Sequence, residues 1–383
     1  MANRMILNET SYFGKGAIER IVPEFKARDF QKALIITDKN LIEFGVATNV
    51  IDLLDEEKVA YEVYDDIVPN PTITIVKAGV AAFKASGADC LIAIGGGSPI
   101  DTAKAIGMIV ANPEFSDVLS LEGTADTKNP SMPIFAVPTT SGTAAEVTIN
   151  YVITDETTHR KFVCVDPHDI PIVSFVDSEL MMGMPKNLAA ATGMDAMTHA
   201  IEGYLTKDAW ELTDMLHLKA IEIIGSSLRE SVKGDPRGRE AMALGQYIAG
   251  MGFSNVGLGL VHGMAHPLSA WYNIPHGVAC ASLLPTIMAF NKDFTGEKYR
   301  DIANALKVPE AQTMSLEAVR KAAVRAIRQL SRDVEIPATL SELGVQAKDI
   351  SAIAEDALRD VCTAGNPREV MVEEIMDLYQ SLM

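Results

Sequence analysis

Seven histidines occur in 383 residues, and four of them, His199, His262, His266 and His276, stand in apolar, glycine-rich surroundings. Asp195 and His199 are four apart in TGMDAMTHAIEGY, His262 and His266 are four apart in LVHGMAHPL, and His276 follows in NIPHGVA. On a helix, side chains four apart project from one face, so each pair can reach one ion. Three imidazoles and a carboxylate, from His199, His262, His276 and Asp195, suit Fe(II), Zn(II), Mn(II) or Ni(II) and leave room for a substrate oxygen. A cation so held polarises a carbonyl or lowers the pKa of an alcohol. Taken singly, each histidine also fits a satisfied core position. His266 shares the predicted face of His262. Pro267 is expected to start a bend there, and His266 reads as a proton relay or substrate contact rather than a fifth ligand. His159, His168 and His217 stand in polar surroundings and receive no metal role. There is no HExxH, so a zinc peptidase is not indicated.

A second chemical signal lies in LIAIGGGSPIDTAKAIGMIV. An apolar strand runs into Gly95, Gly96 and Gly97, with Ser98 expected as N-cap, Pro99 as the first helical residue and Asp101 closing a capping box. Three glycines allow a tight turn, and the helix N-terminus offers N–H groups and a positive dipole end to a pyrophosphate. A tight strand–helix turn with no ligand has the same composition, and the run is not the usual GxGxxG. In VPTTSGTAAEVT, Thr139, Thr140, Ser141 and Thr143 could bind phosphate or ribose, or form a solvated turn. Asp38 ends the strand KALIIT. A carboxylate there can cap a helix, or accept from a ribose diol and repel a 2′-phosphate. It precedes the glycine loop, whereas the standard fingerprint places its acid about 20 residues after it.

These residues need elements to hold them. Segments 32–37, 61–64, 90–94 and 133–137 read as short buried strands with helices between, as at 74–85. The rhythm predicts a parallel sheet covered by helices, to which 161–165 and 172–176 add strands. Beyond about residue 185 the strand signals stop. Segments 186–206, 209–230, 238–252, 255–272, 277–290 and 315–331 read as packed helices. The fold class is thus an α/β nucleotide-binding domain over 1–180 and an all-α metal- and substrate-binding domain over 181–383. A ligand cleft is expected between the halves.

Composition narrows the partners. The chain is 48% hydrophobic, and its net charge of -18 would repel a nucleic-acid backbone or an anionic bilayer. No apolar run is long enough to span a membrane, and the N-terminus carries no signal-peptide pattern. Cys90, Cys164, Cys280 and Cys362 lack pair spacing, which predicts free thiols in a reducing cytoplasm.

GGGSPIDTAK, PTTSGTAAEVT, TGMDAMTHAIEGY, GLGLVHGMAHPL and PHGVA, in this order, make the chain resemble the iron-containing alcohol dehydrogenases over essentially its whole length. The resemblance implies that Asp195, His199, His262 and His276 bind iron and that His266 is the nearby pocket histidine. It places Gly96, Gly97 and Ser98 on the pyrophosphate loop, Thr139, Thr140 and Thr148 on a second nucleotide segment, and Asn70 and Lys161 on the cofactor side. Asp38 falls on an acid associated with NAD(H) preference. Phe253 and Asn150 are candidate pocket residues. The expected activity is NAD-dependent interconversion of a small aldehyde or 2-hydroxyaldehyde with its alcohol or 1,2-diol, in a homodimer helped by an N-terminal strand around residues 4–13. A glycerol dehydrogenase, a cyclising lyase like dehydroquinate synthase and a non-catalytic nucleotide-binding protein are the competing readings. The scarcity of Lys and Arg in the metal-bearing segments disfavours the lyase.

Overall fold

The computed structural model describes residues 2–158 and 160–383, and His159 lies outside them. Two compact units divide at Gly183, one spanning Met1–Gly183 and the other Met184–Met383.

The first unit contains β1 (Thr10–Phe13), α1 (Ile21–Ala27), β2 (Lys32–Ile36), α2 (Lys39–Glu43), α3 (Thr48–Glu56), β3 (Ala60–Tyr64), α4 (Ile73–Ser86), β4 (Cys90–Gly95), α5 (Gly97–Ala111), β5 (Ile134–Pro138), β6 (Asn150–Asp155), β7 (Arg160–Val165) and β8 (Val173–Val176). Six strands form one sheet in the order β1-β8-β5-β4-β2-β3, and every pairing in it is parallel. Alternate residues feed two cores. Ile35, Ile92 and Phe135 pack on one face, and Leu34, Leu91 and Ile134 on the other. Both faces are covered, so the strands read as continuous apolar runs. Each such buried aliphatic side chain contributes roughly 1.5–3 kcal/mol. The exposed ion pairs, such as Lys26–Glu57 and Lys15–Glu179, are screened by water and add little.

Three expectations change here. Segment 161–165 does not extend the parallel sheet; it pairs antiparallel with β6 as a separate hairpin. The buried alternation of Tyr151, Ile153, Phe162 and Cys164 shows why, since only one face of this hairpin meets apolar neighbours. The N-terminal strand is confined to Thr10–Phe13, beside β8. The segment before it is tied down by Asn8, whose side-chain amide donates to the carbonyls of Glu146 and Pro171. Finally, α5 starts at Gly97 with Gly96 as N-cap and no side-chain cap. The glycines tighten the turn, so the helix begins before Ser98 can cap it. Asp101 turns inward instead and accepts from the Val152 amide at 3.1 Å.

The second unit is all helix: α6 (Lys186–Leu205), α7 (Glu211–Lys233), α8 (Pro236–Val256), α9 (Leu260–Tyr272), α10 (His276–Asn291), α11 (Lys298–Ala305), α12 (Leu316–Asp333), α13 (Ile350–Arg359) and α14 (Val372–Ser381). α6, α7 and α8 pack on one another, α10 packs on α6 and α9, and α13 packs on α9. Pro267 does not bend the chain away: α9 runs through it to Tyr272. Packing on α10 and α13 overrides the local cost of an internal proline. His217 also departs from its expected polar setting. It is fully buried where Gly203 of α6 and Gly252 of α8 approach it. A Cβ at either glycine would stand 2.3 Å from its Nε2. Among the described residues, no helix is long and apolar enough to cross a membrane.

Candidate metal centre and nucleotide loop

α6, α9 and α10 each bring a donor to one point. Asp195 Oδ1 lies 3.8 Å from His262 Nε2 and 3.6 Å from His276 Nε2. Two donors each about 2.1 Å from an ion at a tetrahedral angle stand about 3.4 Å apart, so this spacing fits a shared cation. His262 Nε2 is buried and makes no hydrogen bond, and an orphaned lone pair beside a carboxylate is chemistry a divalent ion satisfies. Cys280 joins the set: its Sγ is 3.6 Å from His276 Nε2, and the four donor atoms all lie within 4.8 Å of one another. His199 stands differently. Its ring stacks between Phe253, at 4.2 Å, and His262, at 4.7 Å.

Gly277 makes the α6–α10 approach possible. A Cβ there would meet the Ala191 carbonyl oxygen at 2.4 Å and its carbon at 2.7 Å. These are backbone atoms of α6 and cannot swing aside. Gly277→Ala is expected to lose roughly 1–3 kcal/mol of stability. It should also lower bound metal, because His276 is driven from Asp195. Thermal melting and metal analysis check this, and a fully loaded variant of unchanged stability contradicts it.

Three groups around the histidines receive no site role from the sequence. Glu202 accepts from the His262 ring, with Nδ1 2.6 Å from Oε2. Burial works against a charged His262, but the hydrogen bond and charge of Glu202 outweigh it and hold its pKa above the usual value. Asp360 lies 94 residues from His266 and takes its Nδ1 at 2.7 Å. Burial pushes the Asp360 carboxyl up, yet His266 beside it brings the net shift below the ordinary range. His266 also stacks on His276 at 5.3 Å. Cys280 is the third such group. Its i,i+4 relation to His276 is visible in the sequence, and only the lack of a second cysteine hid it.

In the first unit, sheet order explains why an acid before the glycine loop can serve it. β2 and β4 are parallel neighbours with Ile36 opposite Ala93, so Asp38 and Gly95 lie just past the same carboxyl edge. β5 is the next neighbour, with Pro138 opposite Gly95, which brings Thr139 and Thr140 alongside. The Thr139 amide donates to the Gly95 carbonyl at 2.9 Å. A Cβ at Gly96 would meet Thr140 Oγ1 at 3.0 Å, and one at Gly97 would meet Thr143 Cγ2 at 3.1 Å. The first amides of α5, Ser98 included, have no side-chain cap and so suit a dinucleotide pyrophosphate. This edge is where open parallel sheets bind ligands.

Asp38 does cap α2, accepting from Leu41 at 3.0 Å through Oδ1. Asn70 takes a left-handed conformation, φ 58°, in the loop after β3. Lys161 lies in β7. Thr148 lies in the segment between β5 and β6. Its hydroxyl and carbonyl receive Lys104 Nζ at 3.0 and 2.6 Å, and Asn150 contributes its carbonyl at 2.9 Å. Lys104 is fully buried, with Asp169 3.5 Å away. Burial pushes Asp101 up to about 7 and Asp169 up to about 8, opposed chiefly by Lys104. This buried cluster ties α5 to the hairpin.

The comparisons with known proteins agree with the geometry. Residues 8–178 match the family model described as iron-containing alcohol dehydrogenase, and residues 189–383 match that of the Fe-containing alcohol dehydrogenase family, C-terminal. The chain belongs to the iron-containing alcohol dehydrogenase family. It is 64% identical over 381 residues to the lactaldehyde reductase of Escherichia coli (strain K12), covering 100% of both chains. The crystal structure of a 1,3-propanediol oxidoreductase superposes with a TM-score of 0.97 at 38% identity, again over 100% of both chains. A sulfoacetaldehyde reductase from Bifidobacterium kashiwanohense, in complex with NAD+, gives 0.88 at 27% identity, covering 100% of this chain and 99% of that one.

Proposed function

We propose that this chain is an NAD(H)-dependent, iron-type dehydrogenase that interconverts lactaldehyde and 1,2-propanediol. The observation that carries the reading is the convergence of Asp195, His262 and His276 in a chain 64% identical, end to end, to a lactaldehyde reductase. Asp195, His262 and His276, with His199 beside them, would hold Fe2+. When bound, the cation supplies Lewis acidity to a carbonyl oxygen and the nicotinamide supplies or takes the hydride.

The chain's own groups do the rest. Gly96, Gly97 and Ser98 offer amides to the pyrophosphate, with Thr139 and Thr140 beside them. Asp38 Oδ2 remains to receive a ribose diol while Oδ1 caps α2. Asn70, Thr148 and Lys161 complete the cofactor side. His266, its Nδ1 held by Asp360, presents Nε2 for proton exchange with the substrate oxygen. The buried setting of Asp195, His199 and His262 keeps the reacting centre dry. A second copy joining at the sheet edge formed by β1 would give the homodimer. Four cysteines without a disulfide suit the cytoplasm.

The test is NADH absorbance with anaerobically purified, iron-loaded enzyme. A steady fall with lactaldehyde, faster than with dihydroxyacetone, is expected, and oxidation of 1,2-propanediol in reverse. A lyase recycles its cofactor and would show no steady change. Absence of turnover in both directions would overturn the reading. In the same assay Asp38→Gly should gain roughly tenfold in NADPH use relative to NADH, about 1.4 kcal/mol. An unchanged ratio removes Asp38 from cofactor selection.

A further inference from the structure

Glu202 lies on α6, seven residues past Asp195, and is buried. Three donors from the start of α9 converge on its carboxylate. The Val261 amide donates to Oε1 at 2.6 Å, the His262 amide to Oε2 at 3.3 Å, and His262 Nδ1 stands 2.6 Å from Oε2. α9 has no side-chain cap of its own. Glu202 therefore gives that helix start both acceptors and negative charge. The approach is close: a Cβ on Gly259 would lie 2.9 Å from Oε1.

An ionised carboxylate only accepts hydrogen bonds, so Nδ1 of His262 must carry the hydrogen. Nε2 is then left with its lone pair, and Nε2 is the atom that faces Asp195 Oδ1. The ring and its own backbone amide are bound by the same carboxylate. That fixes the ring's orientation as well as its tautomer. The helix that carries Glu202 also carries Asp195, so one helix supplies a ligand and aims another.

We infer that Glu202 is a positioning residue of the metal centre: it holds His262 with hydrogen on Nδ1 and aims the Nε2 lone pair at the cation. This rests on the proposed binding of the cation through His262 Nε2. Glu202→Gln keeps the size but puts an N–H2 group against donors. Metal-free wild type and variant are titrated with Co2+, whose visible absorption reports ligand number and geometry, against a competing chelator. NADH binding and melting of the metal-free protein show whether each is folded.

Glu202→Gln is expected to bind Co2+ roughly 10–100-fold more weakly, with an altered spectrum, while NADH binding is unchanged. A purely structural role would lower melting alone and leave the folded protein's Co2+ affinity and spectrum at wild type, which overturns the proposal. If the Gln variant does not fold, Glu202→Asp replaces it. The charge then stays but withdraws from the ring, and weakened Co2+ binding is again expected, with wild-type binding overturning the inference. His262→Ala separates the two layers. Wild-type Co2+ affinity in that variant refutes the site itself, whereas loss there with no change in Glu202→Gln refutes only the role of Glu202.

Discussion

Replacing His262 with alanine is expected to strip the enzyme of metal and to lower turnover by on the order of 10³-fold or more, with NADH binding retained. The size follows from what is removed. Lewis-acid stabilisation of developing charge is worth several kcal/mol, and about 4 kcal/mol is a factor of 10³. His262 is a proposed ligand with little freedom: buried, tied through Nδ1 to Glu202, and facing Asp195 with Nε2. Alanine removes the ring's volume from a buried site, and it leaves Glu202 without its ring partner. A stability cost of about 1–3 kcal/mol accompanies the loss of activity. Metal analysis, NADH titration and steady-state rates on the same preparation distinguish the effects. A metal-free variant with full turnover would reject the metal's role. The glycine loop belongs to the other unit, so unchanged NADH affinity is the control for a folded protein.

Acid sensitivity should follow His217. Burial, followed by the charge of Lys298, pushes its pKa down to about 3. Below the ordinary value near 6.5, the unfolded chain takes up a proton that the folded protein refuses until about pH 3. The unfolded state therefore binds more protons across that window, and stability falls as pH drops through it. At about 1.36 kcal/mol per unit, the full effect at the acid end is on the order of 5 kcal/mol. Asp101 and Asp169 act in the opposite sense. Their raised pKa values make the folded state the better proton binder between about 4 and 8, so their contribution is lost as pH rises. The difference between wild type and His217→Met isolates the histidine. Both ring nitrogens lack hydrogen-bond partners, so an apolar replacement of similar volume is expected to cost little at pH 7. Its urea midpoint should drop less than wild type's between pH 6.5 and 4. Parallel pH dependences would show that His217 does not control acid unfolding.

Several features were legible because they are local. The spacings Asp195–His199 and His262–His266 announce shared helix faces, and Cys90–Gly97 announces a buried strand broken by glycine. The misreadings also have local causes. Ser98, Pro99 and Asp101 satisfy a capping pattern that is overridden when Gly97 starts the helix and Asp101 finds the Val152 amide. Pro267 carries a helix-breaking preference that packing on α10 and α13 cancels. The polar neighbours of His217 in sequence are not its neighbours in space, since α7 turns that residue toward two glycines on other helices.

What the chain's order of residues determined alone was the kind of chemistry. The ligand types, the glycine turn and the change from strand to helix periodicity are short-range properties, and side-chain period and backbone sterics settle them within a turn or two. The tertiary structure decided which groups serve which. Asp38 reaches the glycine-loop edge because β2 and β4 are neighbours. Glu202 aims His262 and Asp360 holds His266 because α6, α9 and the segment after α13 are packed together. Such partnerships span 60 to 94 residues. No pattern of local spacing encodes them, because contacts at that separation are selected by the burial and close packing of the whole domain.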